Sequence, residues 1–202
     1  MAFSGCSSIY YGSMEKIGVH KRDIMVDRVK AARDAQGETK KQFLTAMEQF
    51  KSVVNFQGGD LEKEYNRLNA TLKRSEAEAA ALRSRINAVE DVSDALFSEW
   101  RGEMKQYASD ALREASRRKY DATRAKYQEL IGAMRMAESK LEPVLIPLRD
   151  QVLFMKHNLN ARAIAGLSDE LAGVQTNVDR LVRDMDEAIS QADKFIASLR
   201  EE

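Results

Sequence analysis

The sequence predicts an all-α fold: an elongated antiparallel coiled coil, or four-long-helix bundle, built from two helical hairpins. Three observations support this prediction: a long heptad repeat, a composition with few helix breakers, and a paired-glycine turn between two helical patterns. Of the 202 residues, 32 are Lys or Arg, 32 are Asp or Glu, ten are Gly and two are Pro. High charge with little glycine or proline is typical of long amphipathic helices.

The heptad repeat runs without interruption over residues 60–107. Mostly apolar residues recur at alternating steps of four and three, and charged residues lie between them. This spacing is the signature of a helix packed along a left-handed seam. Such a helix would be roughly 70 Å long, which exceeds the width of a compact domain of this size. The seam positions are Leu61, Tyr65, Leu68, Leu72, Ser75, Ala79, Leu82, Ile86, Val89, Ser93, Leu96, Trp100, Glu103 and Tyr107.

The first predicted helix covers about residues 13–54, and the clearest turn in the sequence follows it. Gly58 and Gly59 supply the positive φ that ends a helix, and Asp60 is a suitable N-cap for the next helix, predicted at 60–107. The turn therefore predicts a first antiparallel hairpin.

A second hairpin is predicted from helices at 110–141 and 147–199. Ser109 is the expected N-cap of the third helix. Pro143 and Pro147 are expected to end that helix, because a proline disfavours helical conformation in the residue before it, and Pro147 suits the first turn of the fourth helix. Periodicity leaves an up-down bundle and a pair of stacked hairpins both open.

Charge and hydropathy argue against a nucleic-acid-binding or membrane-spanning chain. The formal net charge is zero, so no overall field attracts nucleic acid. Local basic clusters are interleaved with acids, which is typical of a solvated helix face. No run of eighteen apolar residues occurs. Since no Pro/Gly/Ser-rich linker divides the chain, we expect one elongated helical domain at 13–202 after an N-terminal tail at 1–12.

The sequence carries no pattern typical of an enzyme or a metal site. His20 and His157 are the only histidines, and neither has the HxxxH or ExxH spacing of a metal site. The fingerprints GxxxxGK[ST], GxGxxG and GxSxG are absent. We therefore predict a protein that is not an enzyme and that uses no metal, no cofactor and no small-molecule substrate.

Two polar clusters interrupt the helical patterns. The first lies within the predicted fourth helix, and its members are His157, Asn158, Asn160 and Arg162. It is interpreted as a buried polar layer that fixes register, as Asn does in coiled coils, or alternatively as a contact site for a partner or polar ligand. The second cluster lies on the first helix and would pair with this layer if the two helices are adjacent. Its members are Asp23, Asp27, Arg28 and Arg33.

Cys6 is the only cysteine and cannot form an internal disulfide. The segment Ser4-Gly5-Cys6 resembles the lipobox of bacterial lipoproteins, in which the cysteine is acylated after cleavage. Phe3 departs from the usual leucine, and the charged and apolar regions of a signal peptide do not precede the motif in this sequence. An incidental thiol and an intermolecular disulfide are the alternatives. Ser7 and Ser8, with no Asp after the cysteine, resemble the pattern that directs such lipoproteins to the outer membrane.

Six segments in the same order carry a resemblance to a known family. They are Ser4-Gly5-Cys6, Met14-Glu15-Lys16-Ile17-Gly18, Lys21-Arg22-Asp23, Val26-Asp27-Arg28-Val29, Ala32-Arg33-Asp34-Ala35-Gln36 and His157-Asn158-Leu159-Asn160-Ala161-Arg162-Ala163-Ile164. This set resembles an uncharacterised family of Gram-negative lipoproteins, domain-of-unknown-function family 2959, over nearly the whole chain. The resemblance implies acylation at Cys6 and a periplasm-facing lipoprotein. It implies no activity, cofactor or catalytic residue.

These observations predict a non-enzymatic, lipid-anchored helical scaffold, spacer or assembly protein on the periplasmic side of the outer membrane. Its expected partners are the membrane, through an acyl anchor on Cys6, and either a second copy or an envelope protein. One alternative is a membrane-remodelling or envelope-stress coiled-coil protein similar in outline to the phage-shock family. That family uses an N-terminal amphipathic helix, for which Ile9-Tyr10-Tyr11 is too short an apolar patch. Another alternative is a ligand carrier that uses the polar layer around His157.

Overall fold

The all-α fold is confirmed. The computed structural model describes residues 21–56, 58–158 and 161–200, and in the last of these segments it describes side chains from Leu167 onward. No strand occurs in these ranges. The five helices are α1 (Lys21–Val54), α2 (Leu61–Met104), α3 (Asp110–Ser139), α4 (Leu141–His157) and α5 (Ala161–Arg200).

The helices form an up-down-up-down bundle with four long arms. Helix α1 packs against α2 and α5, and both α3 and α4 pack against the same two helices. Only Lys140 separates α3 from α4, so these two helices together form the third arm. The 44 residues of α2 make it about 65 Å long. Of the two architectures that periodicity left open, the structure has the bundle.

The turn between α1 and α2 is formed as the sequence predicts. Gly58 and Gly59 have φ angles of 142° and 124°, which side-chain-bearing residues rarely adopt. Asp60 follows in extended conformation, and its carboxylate accepts a hydrogen bond of 3.0 Å from the backbone N–H of Lys63. The predicted N-cap is therefore confirmed. Ser109 caps α3 in the same way, because its hydroxyl accepts from the N–H of Leu112 at 3.4 Å.

The predicted helix break at the two prolines is wrong. Pro143 lies in the first turn of α4, where the backbone N–H of an ordinary residue would have no helical partner to lose. Pro147 lies inside α4, and the helix continues past it to His157. The chain reverses after Asn158 instead, so the last helix begins at Ala161 and not near residue 147.

A contact between helices explains why Pro147 is tolerated in the interior of α4. Proline has no N–H, so it cannot donate the helical hydrogen bond to the carbonyl of Pro143, four residues earlier. The side-chain amide of Asn177 on α5 donates to that carbonyl at 3.0 Å. The acceptor that the proline leaves unpaired is therefore satisfied from the neighbouring helix.

An apolar core extends along the bundle, and the predicted α2 seam supplies one side of it. The seam is buried through its middle and then shifts by one residue near the end of α2. Phe97 is 5% exposed there, whereas the predicted Leu96 is only partly buried. The buried seam positions are Leu68, Leu72, Ser75, Ala79, Leu82, Ile86, Val89 and Ser93.

Candidate functional site

A ladder of ion pairs joins α2 to the third arm of the bundle. We call it the charge ladder. Its charges alternate along each helix at a spacing of seven residues, and the two helices run in opposite directions. The pairs are Glu76–Arg149 at 2.6 Å, Arg83–Glu142 at 2.9 Å and Glu90–Arg135 at 3.0 Å.

The charge ladder favours the ionised forms of Glu142, Arg135 and Arg149. Hydrogen bonds from Arg83 and then from Arg149 hold the pKa of Glu142 below its ordinary value of 4.5. Glu76, and after it Glu142, raises the pKa of Arg149. Hydrogen bonding to Glu90 is the largest cause of the raised pKa of Arg135. Groups held in one charge state at neutral pH bridge helices well but are poor proton donors or acceptors.

The charged cluster predicted on the first helix contacts nearby residues of α1 and the end of α5. Asp23 is exposed, Asp27 lies 3.4 Å from Lys30, and Arg28 is half-buried. Arg33 contacts Asp34 and Asp193, each at 2.8 Å.

The other predicted polar cluster lies at the turn between α4 and α5. His157 is exposed, and Asn158 is half-buried. The side chain of Asn158 donates to the carbonyl of Phe154 at 3.0 Å, which helps to end α4. A buried layer therefore does not describe these two residues, whereas the contact-site interpretation stays a prediction. Asn160 and the side chain of Arg162 lie outside the described residues.

The two polar clusters do not form one site. Arg33 contacts Asp193 near the C-terminal end of α5, whereas His157 precedes the start of the same helix. The 32 residues between Ala161 and Asp193 correspond to about 48 Å of helix. The predicted pairing between the clusters is therefore excluded by the antiparallel arrangement of the helices.

Aromatic side chains concentrate at one end of the bundle, which we call the open end. The first described residue of α1 and the last described residue of α5 lie at this end, together with the turn between α2 and α3. Phe97 packs edge-on against Tyr120 with a centroid distance of 5.5 Å, and Trp100 packs against the same tyrosine at 5.6 Å. Tyr127 joins Phe97 to Phe195 of α5. Burial raises the pKa of Tyr127, so its hydroxyl remains protonated.

A groove of about 470 Å³ lies beside this cluster, and we call it the end groove. Most of its lining comes from the last turns of α2 and the first turns of α3, and Arg22 and Leu199 line it as well. The indole N–H of Trp100 donates to the hydroxyl of Ser116 at 2.9 Å and so joins α2 to α3. Leu112 is 59% exposed at the rim.

The end groove was not predicted, although the sequence contains a signal for it. The heptad positions Trp100, Glu103 and Tyr107 continue the α2 seam, and all three line the groove. A seam that continues past the last buried contact implies a surface that another chain segment can cover. The charge ladder was missed as well, although its alternating charges repeat every seven residues in the sequence.

The end groove is the candidate binding surface among the described residues. Within the described ranges, no group of three or more His, Cys, Asp and Glu side chains is placed to hold a metal ion. Among the same residues, no helix is both long and apolar enough to cross a membrane. The end groove combines apolar walls with charged residues of both signs at its edges, including Glu103 and Lys119. Such a groove fits an amphipathic segment.

Comparison with known proteins identifies a family. A family model described as "Protein of unknown function (DUF2959)" matches residues 10–199, which include every described helix up to the last turn of α5. No curated protein matches the chain. The match begins after Cys6, and Cys6 also lies outside the described residues, so acylation stays a prediction.

Proposed function

The chain belongs to the DUF2959 family, and we propose that it is a non-enzymatic, lipid-anchored helical scaffold or spacer on the periplasmic side of the outer membrane. One observation carries the proposal. The described arms share a long apolar core, while the charged residues pair with one another on the outside. This architecture supplies length and stiffness, which are the properties that a scaffold or spacer needs.

The predicted anchor suits a protein of this shape. Several acyl chains on Cys6, at about 0.8 kcal/mol for each buried CH₂, would bind a membrane far more firmly than a single chain. The bundle would then hold a partner at a distance of about 65 Å from the attachment point, since that is the length of α2. The partner proposed is a second copy or another envelope protein.

Metabolic labelling with a palmitate analogue tests the anchor. Full-length protein is expected to incorporate the label and to remain in the membrane fraction after a high-salt wash. Cys6→Ala is expected to lose both properties, whereas the matched control Ser8→Ala keeps them. Unlabelled full-length protein would contradict the anchored part of the proposal and would leave the helical scaffold to be tested by cross-linking to its neighbours.

A second candidate function is direct binding to a bilayer surface, in outline like the phage-shock proteins. The observation that favours it is an excess of basic residues in 101–119, which contain six Arg or Lys and three Asp or Glu. Tyr107 and Leu112 are exposed in the same stretch. Basic residues beside exposed aromatic and aliphatic side chains are typical of membrane-surface contacts.

Liposome co-sedimentation of the unlipidated Cys6→Ala protein separates the two candidates. Binding to anionic vesicles that is lost in Leu112→Asp would favour the bilayer-binding function. Protein that stays in the supernatant with both anionic and neutral vesicles would favour the anchored scaffold.

A further inference from the structure

A second heptad repeat lies on the outer surface of the third arm, and we call it the outer seam. Its positions recur at alternating steps of four and three, as those of the α2 seam do, but every one of them is exposed. The repeat passes from α3 into α4 because Lys140, between the two helices, has a right-handed helical backbone. It covers more than three heptads, which is enough for a coiled-coil contact. Its positions are Gly132, Met136, Ser139, Pro143, Ile146, Asp150, Leu153 and His157.

Large apolar side chains lie along the outer seam and are not buried by the bundle. Met136 is 55% exposed, Ile146 is 52% exposed and Leu153 is 59% exposed, and Phe154 beside them is 45% exposed. Seven large apolar side chains are exposed among the described residues, and these are four of the seven. Single exposed apolar residues are ordinary, whereas a row of them at heptad spacing is typical of a contact surface.

The outer seam is exposed because it lies on the side of the third arm that faces away from the core. Leu141 and Leu148, on the opposite side of α4, are fully buried. At the level of Ile146 the structure describes all four arms. Arg149 binds α2 there, Asn177 of α5 binds the backbone of α4, and α1 packs behind α2 and α5. None of these arms covers the outer seam.

We propose that a second copy of the protein covers the outer seam, in an antiparallel dimer whose two-fold axis lies just after the level of Val144. In this register the partner's Leu153 lies opposite Met136, and the partner's Ile146 lies opposite Pro143. The two-fold symmetry repeats both contacts, because each residue that contacts a second one is contacted by that residue in the other copy.

The pattern of the outer seam selects this register. Apolar positions meet apolar positions, and Asp150 lies opposite the partner's Ser139. A displacement by one heptad in one direction would place Asp150 against the partner's Ile146, and in the other direction Glu129 against the partner's Leu153. A parallel pairing would place Asp150 against the partner's Asp150. Burying a carboxylate against an apolar group or a second carboxylate is costly, so the outer seam is complementary to itself in the antiparallel register.

The charges beside the outer seam support the same arrangement. Glu142 lies beside the partner's Arg149, and the symmetry forms this pair twice. Both side chains are 41% exposed, so their ladder contacts leave part of each available. Arg135 meets the partner's Lys156 on the same flank, but Glu90 already neutralises Arg135. The flanking charges therefore favour the antiparallel contact.

This inference rests on the proposed scaffold function, for which it names the partner. The two open ends of such a dimer point in opposite directions and are about 100 Å apart, since each lies more than thirty residues of helix from the two-fold axis. A single anchored copy can stand on a bilayer, whereas a dimer anchored at both ends of one bilayer would lie along it.

Analytical ultracentrifugation of full-length Cys6→Ala protein tests the dimer without the proposed anchor. A dimer is expected at micromolar concentration. Ile146→Asp should raise its Kd by at least about tenfold, because both copies lose an apolar contact. Leu44→Asp makes the same change at an exposed position of α1, on the far side of the bundle, and should leave the Kd unchanged. Far-ultraviolet circular dichroism checks that each variant remains folded.

A monomer at micromolar concentration would overturn the proposal and would mean that a different molecule covers the outer seam. A dimer that Ile146→Asp does not weaken would overturn it as well. Neither result would affect acyl labelling at Cys6, so failure of this inference and failure of the anchored scaffold are distinguishable.

Disulfide cross-linking tests the register. Met136→Cys and Leu153→Cys are made separately in the Cys6→Ala protein, which has no other cysteine. A mixture of the two is expected to form linked dimers, and neither variant alone should do so, because identical positions in the two copies lie about 25 Å apart. Linked dimers from each variant alone, or none from the mixture, would overturn the antiparallel arrangement.

Discussion

At the level of single residues, two glutamines on α1 show when a polar side chain stabilises a helical bundle and when it destabilises it. The amide of Gln42 donates to the carbonyl of Thr71 and to the hydroxyl of Ser75, both at 3.2 Å. Gln36 is fully buried, and neither of its amide atoms has a hydrogen-bond partner among the described residues. A buried amide without a partner loses its hydration and gains nothing in return.

Replacing each glutamine by leucine should therefore have opposite effects. Gln36→Leu is expected to raise the free energy of unfolding by about 1 kcal/mol, because it removes an unsatisfied buried amide of similar size. Gln42→Leu is expected to lower it by about 1 kcal/mol, because leucine cannot make the two hydrogen bonds that Gln42 donates to α2. Urea denaturation followed by circular dichroism measures both. A destabilised Gln36→Leu protein would show that the amide has a bonding partner in solution.

The contact that satisfies the carbonyl of Pro143 gives a second prediction at this scale. Asn177→Ala removes the hydrogen bond in the wild-type background, whereas in a Pro147→Ala background the helix supplies its own N–H to that carbonyl. A double-mutant cycle is therefore expected to show a coupling energy of about 0.5–1 kcal/mol between residues 147 and 177. The higher helix propensity of alanine at residue 147 cancels in the coupling energy, because it contributes equally to the single and the double variant. Additive effects would mean that the hydrogen bond contributes no stability.

At the level of elements, the turn at Gly58 and Gly59 and the cap at Ser109 were predicted correctly from local signals, whereas the boundary that depended on a distant contact was wrong. Gly58 and Gly59 end a helix through their own backbone preferences, so the sequence is sufficient to find that turn. The carbonyl that Pro147 leaves without a helical donor accepts a hydrogen bond from Asn177, thirty residues after the proline. Local periodicity contains no information about that partner, so the third arm was predicted to end too early.

The charge ladder predicts a pH dependence of stability. Because Arg83 and Arg149 lower the pKa of Glu142 in the folded state, the folded protein binds a proton there more weakly than the unfolded chain does. The contribution of Glu142 to the free energy of unfolding should be complete at neutral pH. It should decrease as the pH falls below the ordinary pKa of 4.5 towards the lowered pKa of the folded state.

Urea denaturation of Glu142→Gln between pH 7 and pH 3 checks this prediction. The variant should be less stable than wild type at pH 7, by no more than about 1 kcal/mol because the pair is partly solvated, and the difference should shrink in acid. Glu48→Gln, at an exposed position on α1, serves as the matched control. A constant difference across the pH range would contradict the assignment.

At the level of the whole molecule, the sequence was sufficient for the class of fold and insufficient for the sites. Heptad spacing and low proline and glycine content are properties of the chain, so they predict a helical bundle directly. The end groove depends on how Arg22 of α1 and Leu199 of α5 are placed relative to the α2–α3 turn, which is a matter of relative register. The exposed position of His157 likewise follows from the reversal after Asn158, which the periodicity did not indicate.

If Cys6 is acylated, the anchor precedes Lys21, which pairs with Glu99 near the end of α2, so the α2–α3 turn of a single copy should face the bilayer. Acylation leaves no native thiol, so Tyr107→Cys and His157→Cys each introduce the single site for a fluorescent label. A nitroxide-bearing lipid is expected to quench the label at residue 107 strongly and the label at residue 157 weakly. Equal quenching at both positions would indicate that the bundle lies flat on the membrane.

The alternation of sign along the charge ladder affects the axial register between α2 and the third arm. A repeating apolar seam does not distinguish the native pairing from one displaced by a heptad, since both bury equivalent side chains. In the displaced pairing Glu76 would face Glu142, and Arg83 would face Arg135. Attraction would thus become repulsion after a displacement of about 10 Å. The charge ladder therefore disfavours the misaligned bundle, which the apolar seam alone would not distinguish from the native one.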